Sequence, residues 1–137
     1  MGLNVSLLRS SFGLVVERQP KVTHRFYEIL FERYPQAKPL FTRNSAAKQE
    51  EMLTGALVAV MDHLEDAPWL TTTLKALGEK HEGYGVTKEM YGWVGASLLA
   101  TFAEVAGSDW SPELEVAWTE AYGAIAALMQ SGTSASA

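Results

Sequence analysis

Cysteine is absent from this chain of 137 residues. Disulfides, thiolate metal sites, cysteine nucleophiles and covalent attachment of a cofactor through sulfur are therefore excluded. Basic residues are scarce as well: eleven Lys and Arg stand against sixteen Asp and Glu, which gives a net charge of −5. Because these cations are also scattered along the chain, they supply no basic face for a phosphate backbone. We therefore expect no nucleic-acid partner.

Long hydrophobic runs are missing too. No apolar segment approaches the roughly 20 residues that cross a bilayer, and the N-terminus lacks the pattern of a secretory signal. We therefore expect no membrane partner and a cytoplasmic location. The sequence also lacks a His-Glu-x-x-His pair, a Gly-x-Ser-x-Gly elbow and a glycine-rich phosphate loop. Metal-dependent hydrolysis and serine catalysis are not expected from such a chain.

The chain does have a strong helical pattern. Hydrophobic residues make up 47% of it, which is enough for the core of one compact domain. These residues recur every three or four positions rather than every second position. The pattern predicts an all-α fold, with one domain over residues 1–130 and a disordered Ser/Gly/Ala tail over 131–137.

Proline and glycine mark the predicted helix boundaries. Pro20 stops the first helix, the second spans 21–34, and Pro35 and Pro39 then break the chain. Near the middle of the chain, a helix is expected to end at Gly83 and Gly85, because glycine accepts left-handed backbone. Its apolar stripe consists of Leu70, Leu74, Leu77 and His81.

The three histidines differ in their positions. His24 and His63 fall outside the clearest apolar stripes, and we assign them no role. His81 occupies a stripe position that leucine otherwise holds, where an imidazole buried without a partner would cost roughly 1–3 kcal/mol. His81 therefore needs a partner. Spacing alone favours a hydrogen-bonded core histidine over a metal ligand, because most buried polar groups are satisfied within the protein.

Five separate segments carry a family resemblance. They are HRFYEILFERYP, KPLF, KQEEMLTGAL, LGEKHEGYGV and AWTEAYG, in this order along the chain. Together they resemble the bacterial single-domain globins and the globin domain of flavohaemoglobins. The resemblance covers nearly the whole chain and implies a myoglobin-like globin fold, with about six to seven helices around one haem b, an iron protoporphyrin IX.

The resemblance also implies roles for individual residues. His81 matches the proximal haem ligand, which reverses the preference for a core histidine, and the Leu77 carbonyl is the expected acceptor for its other ring nitrogen. Tyr27 and Gln49 match the distal tyrosine and glutamine, and Tyr91 matches the proximal tyrosine. Apolar walls of the pocket are expected from Phe41, Leu53, Leu77, Val86 and Val94. Alternatively, Tyr27 is an ordinary core tyrosine and Gln49 a solvated helix residue.

By this resemblance the chain reversibly binds oxygen, nitric oxide and carbon monoxide at ferrous iron, with high oxygen affinity. The family's proximal glutamate aligns with Thr133, which favours oxygen binding over oxygen activation. We expect a monomer or a weak homodimer. One alternative is nitric oxide dioxygenation, for which a separate reductase would be a partner because no reductase domain is recognised. Another is a gas-sensing or interaction module.

Overall fold

A computed structural model of the chain describes residues 4–42 and 44–131. Within these ranges the chain forms six α-helices and two short 3-10 helices and no strand, which confirms the all-α prediction. The α-helices are α1 (Val5–Arg18), α2 (Val22–Arg33), α3 (Ala46–Asp62), α4 (Ala67–Gly83), α5 (Lys88–Ala106) and α6 (Pro112–Ser131). The 3-10 helices are Pro35–Phe41 and Gly107–Asp109. No helix of the described residues is long and apolar enough to cross a membrane.

Most predicted boundaries agree with the observed helices to within one or two residues. The expected break at Pro35 and Pro39 is instead a single 3-10 helix, with Pro35 at its first position. Proline suits that place because its fixed φ is already helical and its missing N–H has no partner to lose there. The predicted disordered tail begins at Ser131, which is the last residue of α6, and its remainder lies outside the described residues.

The end of α4 corrects one detail of the sequence analysis. Only Gly85 has left-handed backbone, with φ of +92°, whereas Gly83 is the last helical residue. The amide of Val86 donates to the His81 carbonyl at 3.0 Å, and the amide of Gly85 donates to the Glu82 carbonyl at 3.0 Å. This pair of hydrogen bonds is a Schellman motif, which needs left-handed backbone at one position only.

The core lies where α1, α5 and α6 meet and continues between α2 and α5. Phe12, Phe102 and Trp118 pack together there, with the ring centroids of Phe102 and Trp118 4.8 Å apart. The indole N–H of Trp118 donates to Ser11 at 2.9 Å, so its one polar group is satisfied. This cluster joins the first helix to the last.

Gly78 sets the distance between α4 and α6. A Cβ placed on Gly78 would lie 1.8 Å from the backbone oxygen of Met129 and 2.4 Å from its carbonyl carbon. The two helices therefore touch backbone to backbone at this point. Because both partners are backbone, no rotation of a side chain could make room for a larger residue.

We predict that Gly78→Ala lowers the free energy of unfolding by about 3 kcal/mol, the upper end for overpacking a core. The matched control is Gly13→Ala in α1, where a Cβ meets nothing within 4 Å. That variant should gain about 0.5–1 kcal/mol, because alanine is the better helix former. Urea unfolding of both variants checks the pair. Equal effects would contradict the backbone contact at Gly78.

Candidate functional site

Tyr27 on α2 and Gln49 on α3 form a hydrogen-bonded pair. The Gln49 side-chain amide donates to the Tyr27 hydroxyl oxygen at 3.2 Å. Gln49 lies in the first turn of α3. Ser45 caps this helix, and its hydroxyl accepts from the amide of Lys48 at 3.2 Å. The cap fixes where α3 begins and hence where Gln49 stands relative to α2.

Aromatic rings surround the Tyr27 side chain. The ring of Phe41 lies edge-on to it at 5.4 Å between centroids, Phe26 lies at 5.0 Å, and Phe31 at 5.9 Å. Tyr27 is 8% exposed. Burial raises the pKa of Tyr27 to about 12, while the hydrogen bond from Gln49 opposes the rise and the Glu50 carboxylate adds to it. The hydroxyl is therefore protonated at neutral pH and can donate.

A cavity of about 190 Å³ opens beside this pair. Three of the predicted site residues, Tyr27, Phe41 and Gln49, line it, and we call it the distal cavity. Its other lining residues are Phe31, Lys38, Thr42, Ala46 and Glu50. Phe31 could have been assigned from sequence because it follows Tyr27 by four residues on one helix. Lys38 and Glu50 carry no such signal. Leu53 is half-buried against the core but does not line the cavity.

His81 is held by its own helix. Its Nδ1 lies 2.8 Å from the Leu77 carbonyl oxygen, the acceptor expected from the sequence. Because a carbonyl can only accept, Nδ1 must carry the proton, and in the neutral ring the lone pair is then on Nε2. Nε2 is therefore the nitrogen that can bind a metal. The geometry is that of a ligating histidine with its other nitrogen fixed.

The stripe that carries His81 is less buried than the sequence analysis expected. Leu74 is buried, whereas Leu70, Leu77 and His81 are only half-buried. The periodicity identified the apolar face correctly, but it could not show that the chain itself covers only part of that face.

Tyr91 on α5 is buried, and its hydroxyl has no hydrogen-bond partner among the described residues. An unpaired buried hydroxyl costs about 1–3 kcal/mol and often marks a functional position. Burial raises the pKa of Tyr91, and the Glu82 carboxylate adds to the rise. The backbone of Tyr91 is fixed from α6, since the Tyr122 hydroxyl donates to its carbonyl at 2.6 Å.

The other two histidines have partners of their own. His24 is exposed and its Nδ1 lies 2.8 Å from the Glu50 carboxylate. His63 caps the end of α3, where its Nδ1 lies 2.7 Å from the Ala59 carbonyl oxygen and its ring stacks on Trp69 at 3.8 Å. Among the residues the structure describes, no group of three His, Asp or Glu side chains could hold a metal ion.

Comparison with known proteins decides the family. The family model described as Globin matches residues 24–129, most of the chain. The chain belongs to the globin family. The recognition made from the five sequence segments is thereby confirmed, and so is the globin fold.

Several relatives of this globin are informative. The flavohemoprotein of Bacillus thuringiensis subsp. konkukian is 34% identical over 124 residues, which cover 89% of this chain but 30% of the relative. A solved structure from Rhodothermus marinus, an engineered carbene transferase described as a proposed nitric oxide dioxygenase, is also similar. It is 28% identical with a TM-score of 0.80, and the match covers 93% of this chain and 88% of that one. A bacterial globin from Campylobacter jejuni, 24% identical with a TM-score of 0.76, covers 91% of this chain and 90% of its own and shows the fold alone.

The residues of this globin fit the haem that the resemblance implies. Phe41, Leu53, Leu77, Val86 and Val94 all pack against the core cluster yet stay partly exposed. Such an apolar surface suits a flat, largely apolar group. His81 would be the protein's metal ligand, and a porphyrin would supply further nitrogen ligands, so the protein itself would not have to provide them. The buried Tyr91 hydroxyl, which has no hydrogen-bond partner among the described residues, would be free to interact with a bound group.

Proposed function

We propose that this globin binds haem through His81 and reversibly binds oxygen and other diatomic gases in the distal cavity. The observation that carries the proposal is the hydrogen bond from Gln49 to Tyr27 at the wall of that cavity. When bound, haem supplies a ferrous iron for the gas. We further propose that the haem is of the b type, because the chain has no cysteine for a thioether bond. A cytoplasmic location stays a prediction.

The direction of the Gln49–Tyr27 hydrogen bond explains how the pair acts. The Tyr27 oxygen accepts from the Gln49 amide, so its own O–H can donate to a ligand in the cavity. Accepting one hydrogen bond polarises the hydroxyl and strengthens the one it donates. Oxygen that takes on partial negative charge gains most from such a donor, whereas carbon monoxide gains little. This selectivity supports tight oxygen binding.

The aromatic rings around Tyr27 have a second role. Phe31 and Phe41 lie 5.6 Å apart between centroids, and both line the cavity with apolar surface next to the Tyr27 ring. A dry environment strengthens each hydrogen bond inside it and keeps water from competing for Tyr27. The rings also restrict the phenol to one position, which lowers the entropy lost when a ligand binds.

We expect His81→Ala to abolish the Soret band of protein purified from haem-replete cells. Loss of the ligand should lower haem affinity by more than about 100-fold. Changes to the groups that merely orient a metal ligand already lower metal affinity by up to about 100-fold. His63→Ala is the matched control, because His63 has the same bond from Nδ1 to a carbonyl four residues back. Absorption spectra of the two variants test the assignment. An unchanged spectrum for His81→Ala would remove His81 from the ligand role.

Replacing Tyr27 by Phe should speed oxygen release by about 10- to 150-fold, since a hydrogen bond to a charged group contributes about 1.5–3 kcal/mol. Carbon monoxide release should change much less. Tyr34→Phe is the control, because Tyr34 stacks on Trp93 and does not line the cavity. Stopped-flow dissociation of oxygen and carbon monoxide measures both. Equal oxygen release from wild type and Tyr27→Phe would argue against the donor role.

Nitric oxide dioxygenation is a second candidate function. It is favoured by the similarity to the Rhodothermus marinus protein and disfavoured by Thr133 at the position of the proximal glutamate, which lies outside the described residues. Nitric oxide, oxygen and one electron give nitrate, so sustained turnover needs a reductase partner.

For this candidate we expect many nitrates per protein when a reductase and nicotinamide cofactor are added, and one per protein without them. Nitrate counted against nitric oxide consumed is the measurement. A yield that stays at one per protein with the reductase present would leave gas binding as the only supported function.

A further inference from the structure

Glu50 lies between two concave regions of the protein. It lines the distal cavity, and it also lines a concavity of about 370 Å³ on the neighbouring surface. We call the second region the surface groove; it is lined further by Lys21, Thr23, His24, Glu51 and Thr54. Of the residues in 4–42 and 44–131, Glu50 alone lines both regions. The groove and the cavity therefore adjoin at Glu50.

His24 holds the Glu50 side chain from the opposite helix. The distance from His24 Nδ1 to the Glu50 carboxylate is 2.8 Å, and His24 Nε2 lies 3.7 Å from the Glu28 carboxylate. The Glu50 side chain is 22% exposed and the His24 side chain 53%. A pair this accessible to solvent is weak, so it can open and close readily.

The backbone beneath Glu50 is fixed more firmly than its side chain. The Thr23 and Thr54 hydroxyls lie 3.0 Å apart across α2 and α3, and the Thr54 hydroxyl donates to the Glu50 carbonyl at 2.9 Å. The Glu50 side chain can therefore rotate without separation of α2 and α3. Such rotations are fast compared with ligand release from a protein site.

We propose that small uncharged gases reach Tyr27 and Gln49 through the surface groove, and that the Glu50 side chain, held by His24, gates this passage. The proposal rests on the proposed function, since it assigns a route to the same site. Glu50 directly follows Gln49 in the chain, so a passage at Glu50 opens next to the two donors. The Glu50 carboxylate is close enough to Tyr27 to add to the rise in the pKa of its hydroxyl. Lys38 and Thr42, both exposed, mark the competing route.

A gate leaves a distinct kinetic signature. It changes the barrier that the ligand crosses in both directions, so entry and exit accelerate by the same factor and the affinity is unchanged. A change to the hydrogen-bond donors acts differently, because it alters mainly the exit rate and therefore the affinity. The ratio of the two rates separates gating by Glu50 from a structural disturbance of Tyr27 and Gln49.

The test is carbon monoxide binding to the haem-loaded protein. Flash photolysis gives the association rate, and replacement by nitric oxide gives the dissociation rate. Glu50→Ala should accelerate both about tenfold, within the range seen among variants of one site. His24→Ala, which removes only the holding contact, should accelerate both by no more than about fivefold. Glu120→Ala is the control, since α6 contributes no residue to either concave region.

Three results of the carbon monoxide experiment would overturn the proposal. In the first, Glu50→Ala leaves the association rate at the wild-type value. In the second, Glu50→Ala changes only one of the two rates. In the third, Lys38→Ala accelerates entry whereas Glu50→Ala does not. Xenon exchange into the distal cavity, followed by NMR on the protein as isolated, provides a measurement that needs no haem. Faster exchange in Glu50→Ala than in Glu120→Ala supports the gate even if the Soret band is missing, whereas equal exchange overturns it.

Discussion

The backbone contact between Gly78 and Met129 determines where the candidate metal ligand stands. Gly78 precedes His81 by three residues, less than one helical turn, on the same helix. With no Cβ at Gly78, α4 rests directly on the carbonyl of Met129, and this contact fixes the position of the part of α4 that carries His81. The Schellman motif then fixes the other side of His81, because Val86 donates to its carbonyl. Backbone contacts therefore hold this histidine on both sides.

The distal side is organised by a different kind of constraint. Tyr27 is nearly fully buried, and a buried phenol without a hydrogen-bond partner is costly. The Gln49 amide donates to the Tyr27 oxygen, and the hydroxyl hydrogen of Tyr27 has no acceptor among the described residues. Under the proposed function, the rigid helix contact near His81 would fix the metal ligand, and the remaining donor capacity of Tyr27 would serve the bound gas.

Sequence alone could predict much of this arrangement. The helix boundaries followed from proline, glycine and apolar periodicity, and the acceptor for His81 followed from helical geometry. The contact at Gly78 could not be predicted, because nothing in the sequence says which glycine meets a neighbouring backbone. Glu50 and Lys38 were equally hidden, since charged residues at a cavity wall look like any solvated helix position. In each of these cases the residue is identified by its contact with residues that are distant in sequence.

Local geometry alone would also have been insufficient to choose among the histidines. His63 and His81 are both half-buried, and each has Nδ1 bonded to a carbonyl four residues back. The difference lies in their surroundings. The His63 ring is stacked on Trp69 at 3.8 Å, so an aromatic group already covers one of its faces. His81 instead ends an apolar stripe that is only half-buried, since Leu70 and Leu77 also remain partly exposed. A histidine suited to hold a ligand therefore differs from a structural histidine in its surroundings. Apolar surface around it stays exposed, and a bound group can bury that surface.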